Sequence, residues 1–363
     1  MIVRELQQII EQRLFKGKAI IVLGPRQTGK TTLLKQIVQI QEINYLWLDS
    51  DDPSVRAQHV QNNVAHLQRL LGQHKIVVVD EAQQVQNIGI SLKLIVDHIP
   101  GTQLLVSGSS ALELAAGFHE PLTGRKYEYQ LFPLSFNELQ THYGWLKEQS
   151  LLKQRLVFDS YPEVVTKPHE MRDHLAMLAG SYLYKDIFKY KDIRRPELLE
   201  QLLQLLALQF GSQVSYNELA QQLGADTETV QRYINMLEHT FVDFRLRDFS
   251  HNLRNEIKKS RKIYFYDNGI RNALINNFSP MSLQAIKVHC GRTILLPNAS
   301  NTINARASMP IAIIGVHISS RKSIISKKRP ECSMLLSSSG QKKQKRKYRL
   351  PLRRLMLTVN LNL

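Results

Sequence analysis

Short, continuously apolar runs alternate with stretches of helical period through the first third of the chain. Residues 19–23, 45–48, 76–79 and 104–106 are the runs. Apolar at nearly every position, they predict strands of a parallel sheet covered on both faces. Leu6, Ile9, Ile10 and Leu14 share one face of a helix over residues 1–15, and residues 32–40, 55–71 and 91–99 repeat that spacing. Strands alternating with helices predict an α/β fold, a parallel sheet with helices on both faces joined by right-handed crossovers.

From residue 135 to about 208 the helical period dominates. It is broken at Gly144, Pro162, Pro168 and Pro196, where helices stop or start. Ser215 and Glu218 have the spacing of a capping box, and Gly224 turns the chain. Asp226 or Thr227 then caps a helix with Val230, Tyr233, Ile234 and Leu237 on one face. Two short helices about a glycine turn, followed by strand-like residues 241–248 and 262–266, predict a winged helix. The expected organisation is an N-terminal helix (1–15), an α/β core (16–134), a helical lid (135–208), a winged-helix part (209–283) and a disordered tail (284–363).

Charge alters this picture at one place. The formal net charge of +17 invites a nucleic-acid reading. Residues 284–363, however, hold 16 of the 48 Lys and Arg and a single acid, Glu331, which leaves a balance of +2 for residues 1–283. The basicity belongs to the tail, with its serine run at 337–339 and lysine-rich run at 342–347. No apolar run approaches the ~20 residues of a membrane span. The N-terminus carries Arg4 and Glu5 and does not read as a signal peptide. Two cysteines, Cys290 and Cys332, are too few for a disulfide framework. A cytoplasmic protein without membrane contact is expected.

The chemistry lies where the first strand should end. Gly24-Pro25-Arg26-Gln27-Thr28-Gly29-Lys30-Thr31, followed by Thr32, has the spacing of a P-loop between strand and helix. Glycines let the backbone wrap a phosphate, and the helix N-terminus directs N–H groups at its charge. Lys30 is expected on the β/γ-phosphates and Thr31 on Mg²⁺, so ATP and Mg²⁺ are the implied cofactors. Asp80 and Glu81 end the third apolar run in a Walker B pattern. Asp80 would support Mg²⁺, and Glu81 would polarise the attacking water. Ser107 and Ser109, at the end of the fourth run, both qualify as the polar group that meets the γ-phosphate. Arg125 follows a loop and could stabilise transition-state charge, in cis or from a neighbouring subunit.

With those motifs go Trp47-Leu48-Asp49-Ser50-Asp51-Asp52-Pro53, Leu122-Thr123-Gly124-Arg125 and Leu131-Phe132-Pro133-Leu134-Ser135-Phe136. Tyr161-Pro162-Glu163 and Tyr264-Phe265-Tyr266-Asp267-Asn268-Gly269 complete the set. Through them residues 1–283 resemble the prokaryotic AAA-superfamily ATPases that carry a C-terminal DUF4143 domain. The resemblance implies ATP binding and hydrolysis, and it carries over Lys30, Thr31, Asp80 and Glu81. Beyond Met281 the family's pattern does not continue. Codons permitted for residues 285–293, regrouped one base earlier, spell Asp-Lys-Gly-Ala-Leu-Trp-Glu-Asn, and the same frame recovers the pattern at three later places. The tail is therefore expected to be an out-of-frame translation.

The expected function is a Mg²⁺-dependent ATPase whose client is unassigned, with nucleotide as ligand and self-association as a compatible partnership. One alternative is a nucleotide-switched regulator reading DNA through Thr227, Glu228, Gln231 and Arg232; the other is an inactive truncated product. Glu228 repels phosphate and the near-neutral body attracts DNA weakly, so DNA is not favoured.

Overall fold

The computed structural model describes residues 1–60, 63–109, 122–182, 195–209, 212–246 and 261–279. β1 (Ala19–Leu23), β2 (Tyr45–Asp49), β3 (Ile76–Asp80), β4 (Gln103–Gly108) and β5 (Lys126–Gln130) form one parallel sheet. Its order is β2-β3-β4-β1-β5. The strand period of two sorts β1 onto two cores. Ile20 and Val22 pack with Leu6 and Ile10 of α1 (Glu5–Glu11) and with Leu33, Leu34 and Ile37 of α2 (Lys30–Gln41). Ala19, Ile21 and Leu23 pack on the other face, with Leu67 and Leu71 of α4 (Val64–Leu71) and with Leu92 and Ile95 of α5 (Ile88–His98). Burial of each such side chain contributes about 1.5–3 kcal/mol, so the α/β core is the expected doubly covered sheet.

Two helices differ from expectation. The periodic stretch 55–71 holds two helices, α3 (Pro53–Val60) and α4, and Asn63 is the cap that starts the second. Its Oδ1 accepts the His66 N–H at 2.8 Å, and a side chain that can cap competes with helix propagation. The N-terminal helix ends at Glu11 rather than near residue 15. The chain turns there through Phe15 (φ +58°) and Gly17 (φ +72°).

The helical stretch comprises α6 (Phe136–Tyr143), α7 (Trp145–Ser150), α8 (Leu152–Phe158), α9 (Pro162–Thr166), α10 (Met171–Tyr182) and α11 (Pro196–Leu208). Pro162 and Pro196 open their helices at the first turn, where a missing N–H costs nothing. Ser135 and Glu138 form a reciprocal capping box at the start of α6. Beyond α11 come β6 (Gln213–Val214), α12 (Tyr216–Leu223), α13 (Thr227–His239), β7 (Asp243–Leu246), β8 (Arg261–Phe265) and α14 (Asn268–Leu274). The three strands are antiparallel in the order β6-β8-β7. Asp226 is the cap of α13, its Oδ1 accepting the Thr229 N–H at 2.6 Å. Val230, Tyr233, Ile234 and Leu237 meet Leu199, Leu202 and Leu206 of α11 in one core.

The two halves touch through aromatic rings: Phe132, just past β5, stacks on Tyr266 at 5.0 Å and meets Phe241 edge-on at 5.7 Å. The tail expected over residues 284–363, with its proposed out-of-frame origin, lies outside the described residues.

Candidate nucleotide site

Strand order brings the motifs together. β1 lies between β4 and β5, and β4 lies between β1 and β3, so the carboxyl ends of β1, β4 and β3 are neighbours. Ligands of parallel sheets collect at that edge. Val22 registers with Ser107, Leu23 with Gly108, and Val79 with Val106.

The P-loop leaves β1 at Gly24 and re-enters regular structure at Lys30, the first residue of α2. A Cβ on Gly24 would stand 2.1 Å from the Leu131 carbonyl oxygen, so only glycine passes there. Gln27 (φ +57°) and Gly29 (φ +91°) take the left-handed conformations that curl the loop. Thr28 Oγ1 donates to the Pro25 carbonyl at 2.8 Å and locks the curl from within. Lys30 is buried, and its Nζ donates to the Gly24 and Pro25 carbonyls at 3.0 and 2.7 Å, which holds its charge inside the loop. Arg26 is half-buried, while Gln27 and Thr32 face solvent.

Opposite the loop, Asp80 is buried and its Oδ1 is the meeting point of two hydroxyls. Thr31 Oγ1 donates to it at 3.2 Å, and Ser107 Oγ donates to the same oxygen. Ser107 Oγ also accepts the Glu81 N–H at 3.1 Å. Glu81 has φ +50°, an uncommon conformation for a residue with a side chain and one that collects at functional sites. Its Oε2 accepts from the Gln83 side-chain amide, and Gln83 Oε1 accepts the Ser109 N–H at 3.2 Å. Gln83 thus links the end of β3 to the end of β4, a role that its place in the Asp-Glu-Ala-Gln run does not announce. Ser107 and Ser109, left as alternatives by the sequence, have distinct positions: Ser107 is bonded to the Asp80 carboxylate and the Glu81 N–H, and the Ser109 hydroxyl has no hydrogen-bond partner among the described residues.

The donor set fits a nucleotide with a hard cation. Ser50 Oγ, at the end of β2, and Ser109 Oγ are both buried and without a partner among the described residues. The Ser50 N–H donates to the Asp80 carbonyl at 3.0 Å, which fixes Ser50 at this edge. An orphaned buried hydroxyl costs about 1–3 kcal/mol, and two at the carboxyl edge of the sheet suit a ligand rich in oxygen and bound water. Oxygen donors such as Thr31 and Asp80 are those Mg²⁺ prefers.

Arg125 does not stand at this edge, which corrects the in cis alternative alone. It directly precedes β5, and its carbonyl accepts the Ala19 N–H at 3.0 Å, which places it at the amino edge of the sheet. Lys126 registers with Ala19, the first residue of β1, so a strand length of roughly 13 Å separates Arg125 from the P-loop. Its guanidinium pairs with Asp97. An arginine after a loop was expected near the γ-phosphate, in cis or from a neighbouring subunit, but the parallel direction of β5 puts the residue before that strand at the opposite edge of the sheet. No in cis contact of Arg125 with the P-loop follows.

Thr227, Glu228, Gln231 and Arg232 lie near the N-terminus of α13, and all four are exposed. Arg232 lies over the ring of Tyr233 at 5.8 Å.

Comparison with known proteins agrees with this geometry. Residues 16–140 match the family model described as AAA domain. Residues 149–281 match a domain of unknown function, DUF8612, and this replaces the DUF4143 assignment expected from the resemblance. An uncharacterized protein of Haemophilus influenzae is 27% identical over 302 residues, covering 75% of this chain and 73% of its own. An uncharacterized protein of Mycobacterium tuberculosis is 24% identical over 287 residues, covering 77% of this chain; the chain spans 61% of that relative's length. Among solved structures, a Walker-type ATPase of Pyrococcus abyssi shares the fold with a TM-score of 0.50 at 15% identity, covering 76% of this chain and 96% of its own. The AAA-domain match and the P-loop fold together support a nucleotide-binding ATPase of the AAA type. Among the described residues no helix is long and apolar enough to cross a membrane.

Proposed function

We propose that the chain binds ATP with Mg²⁺ at the carboxyl edge of the sheet and hydrolyses it. The observation that carries this reading is the convergence of Thr31 and Ser107 on one oxygen of Asp80, which joins the loop, the third strand and the fourth strand into one site. The P-loop N–H groups and the Lys30 ammonium bind and orient the β- and γ-phosphates. Thr31 and Asp80 would hold Mg²⁺, which would supply neutralisation of phosphate charge. Glu81 takes the role of water-orienting base; its backbone is held by Ser107 and its carboxylate by Gln83. Ser109 offers its remaining hydroxyl to the γ-phosphate or the water. Arg125 retains a role only toward a neighbouring copy.

The α12–α13 pair on its three-stranded sheet, read as a winged helix, is an output module whose client is not assigned by any residue described. DNA is not favoured as its ligand, since Glu228 stands at the exposed end of α13. The out-of-frame origin of the tail is tested by the bases that encode residues 285–293. The activity is tested by release of phosphate from ATP by the full chain, with and without Mg²⁺, beside Lys30→Ala and Glu81→Gln. Hydrolysis that survives Lys30→Ala would sink the loop assignment.

A further inference from the structure

Arg4 lies outside every motif read from the sequence, yet it is buried against the back of the P-loop. It is the residue before α1, and all three of its guanidinium nitrogens are engaged. Nη1 donates to the Thr28 carbonyl at 2.6 Å, Nη2 to the Phe132 carbonyl at 2.6 Å, and Nε to Glu138 Oε1 at 3.0 Å. Glu138 Oε1 also accepts the Glu5 N–H at 2.9 Å, and its Oε2 accepts the Ser135 N–H at 2.8 Å. One cation therefore ties together the P-loop, the segment after β5 and the cap of α6.

The contact to Thr28 has a specific consequence. In a planar trans peptide the C=O and the following N–H point in opposite directions. Holding the Thr28 carbonyl toward Arg4 turns the Gly29 N–H away from it. Glycine accepts φ of either sign at little cost, so the Thr28–Gly29 peptide is the unit of this loop most free to flip. Gly29 sits at φ +91°, and a Cβ there would come 3.9 Å from Arg4 Nη1. The arginine is thus packed against the one peptide that needs an external restraint. A stability role alone explains the arrangement poorly, because a buried ion pair gains little over apolar residues of similar volume once desolvation is counted.

Resting on the nucleotide-binding reading above, we propose that Arg4 is a positioning residue of the phosphate site: it pins the Thr28–Gly29 peptide so that the loop's N–H groups stand ready for phosphate, while its bond to Glu138 serves the fold. Its charge is matched by Glu138, so it acts through the backbone and not by contact with nucleotide.

The test compares Mg²⁺–ATP affinity by calorimetry for the full chain, Arg4→Met and Glu138→Gln, each with its thermal midpoint. Glu138→Gln keeps an oxygen acceptor and leaves Arg4 on the Thr28 carbonyl; it is expected to lower the midpoint while changing the Kd for ATP less than threefold. Arg4→Met is expected to raise that Kd at least tenfold in protein that is folded by near-ultraviolet circular dichroism. If Arg4→Met does not fold, Arg4→Lys replaces it; a single ammonium cannot hold both carbonyls and the carboxylate in the same geometry, and a loss of fivefold or more is expected. Equal Kd changes in the Arg4 and Glu138 variants, or wild-type affinity without the arginine, would overturn the proposal and leave the nucleotide site standing. A wild-type chain that binds no ATP would instead overturn the nucleotide reading and the proposal with it.

Discussion

Thr31 Oγ1 stands 3.2 Å from Asp80 Oδ1, and this hydrogen bond joins the first turn of α2 to the last residue of β3. Both groups are oxygen donors of the kind that surrounds Mg²⁺ in phosphoryl-transfer sites. Thr31→Val preserves shape and removes the hydroxyl. Its expected effect is a loss of about tenfold or more in ATP affinity measured with Mg²⁺, and little change in affinity measured in EDTA. Equal losses in both conditions would place Thr31 in the packing and not in the metal site.

Under the proposed function, Lys30 serves binding and Glu81 serves the chemistry. Lys30→Ala removes the cation held inside the loop and is expected to abolish measurable ATP binding. Glu81→Gln keeps size and most hydrogen bonding and is expected to leave ATP affinity within about threefold while lowering kcat by about 10²–10⁴. Single-turnover phosphate release beside a binding titration checks the pair of outcomes.

Arg125 gives a prediction about assembly. At the amino edge of the sheet, paired with Asp97, it stands away from its own chain's P-loop. Arg125→Ala is expected to change kcat less than twofold at concentrations where the chain is monomeric. If hydrolysis rises with protein concentration and the variant loses that rise, the arginine serves a neighbouring copy. A large loss in the monomer would contradict the placement.

Gly269, in the first turn of α14, has no room for a side chain: a Cβ there would lie 2.5 Å from the Phe158 carbonyl oxygen and 2.8 Å from a Leu175 methyl. Gly269→Ala is expected to destabilise the fold by about 3 kcal/mol, as overpacking against backbone does. Gly180, in α10, would meet nothing within 4 Å. Gly180→Ala is expected to stabilise by about 0.5–1 kcal/mol through helix propensity. Urea unfolding of the two variants measures the contrast.

Two buried aspartates set a pH dependence. Asp159 accepts the Asn268 N–H at 2.8 Å and the Ser160 hydroxyl at 3.1 Å, while Asp267 accepts the Ile270 N–H at 2.8 Å. Burial pushes the Asp159 carboxyl up to about 6. Burial, with Asp159 beside it, holds Asp267 well above the usual carboxylate range. The folded chain therefore keeps protons that the unfolded chain releases near pH 4. The stability this contributes is present below that pH and is lost as pH rises through about 6. Asp159→Asn mimics the protonated form and keeps an acceptor for the Asn268 N–H. It is expected to raise the thermal midpoint more at pH 7.5 than at pH 5; a shift equal at both values would contradict the assignment.

The local signals survived into the structure wherever they were self-contained. The phosphate loop, the apolar strands and the prolines that open α9 and α11 each depend on neighbours in sequence, and each stands where its pattern placed it. The Asn63 cap was legible in principle, since Asn three residues before His66 can bond its N–H, but apolar spacing on both sides masked the break. The Ser135–Glu138 capping box was equally visible as a Ser-x-x-Glu spacing, yet its meaning depends on Arg4, 134 residues from Glu138.

By itself the sequence determined the chemistry available: a glycine-bounded loop with a lysine, a strand ending in two acids, and a near-neutral body with its basicity in one tail. Periodicity says which positions are buried, because a strand repeats every two residues and a helix every 3.6. It does not say which strands are neighbours or which way an edge strand runs. Only the tertiary order β2-β3-β4-β1-β5 decided that Ser107 joins Asp80, that Arg125 falls at the amino edge, and that Arg4 reaches Thr28. Those contacts come from packing two faces of one sheet at once, and no stretch of chain carries that constraint alone.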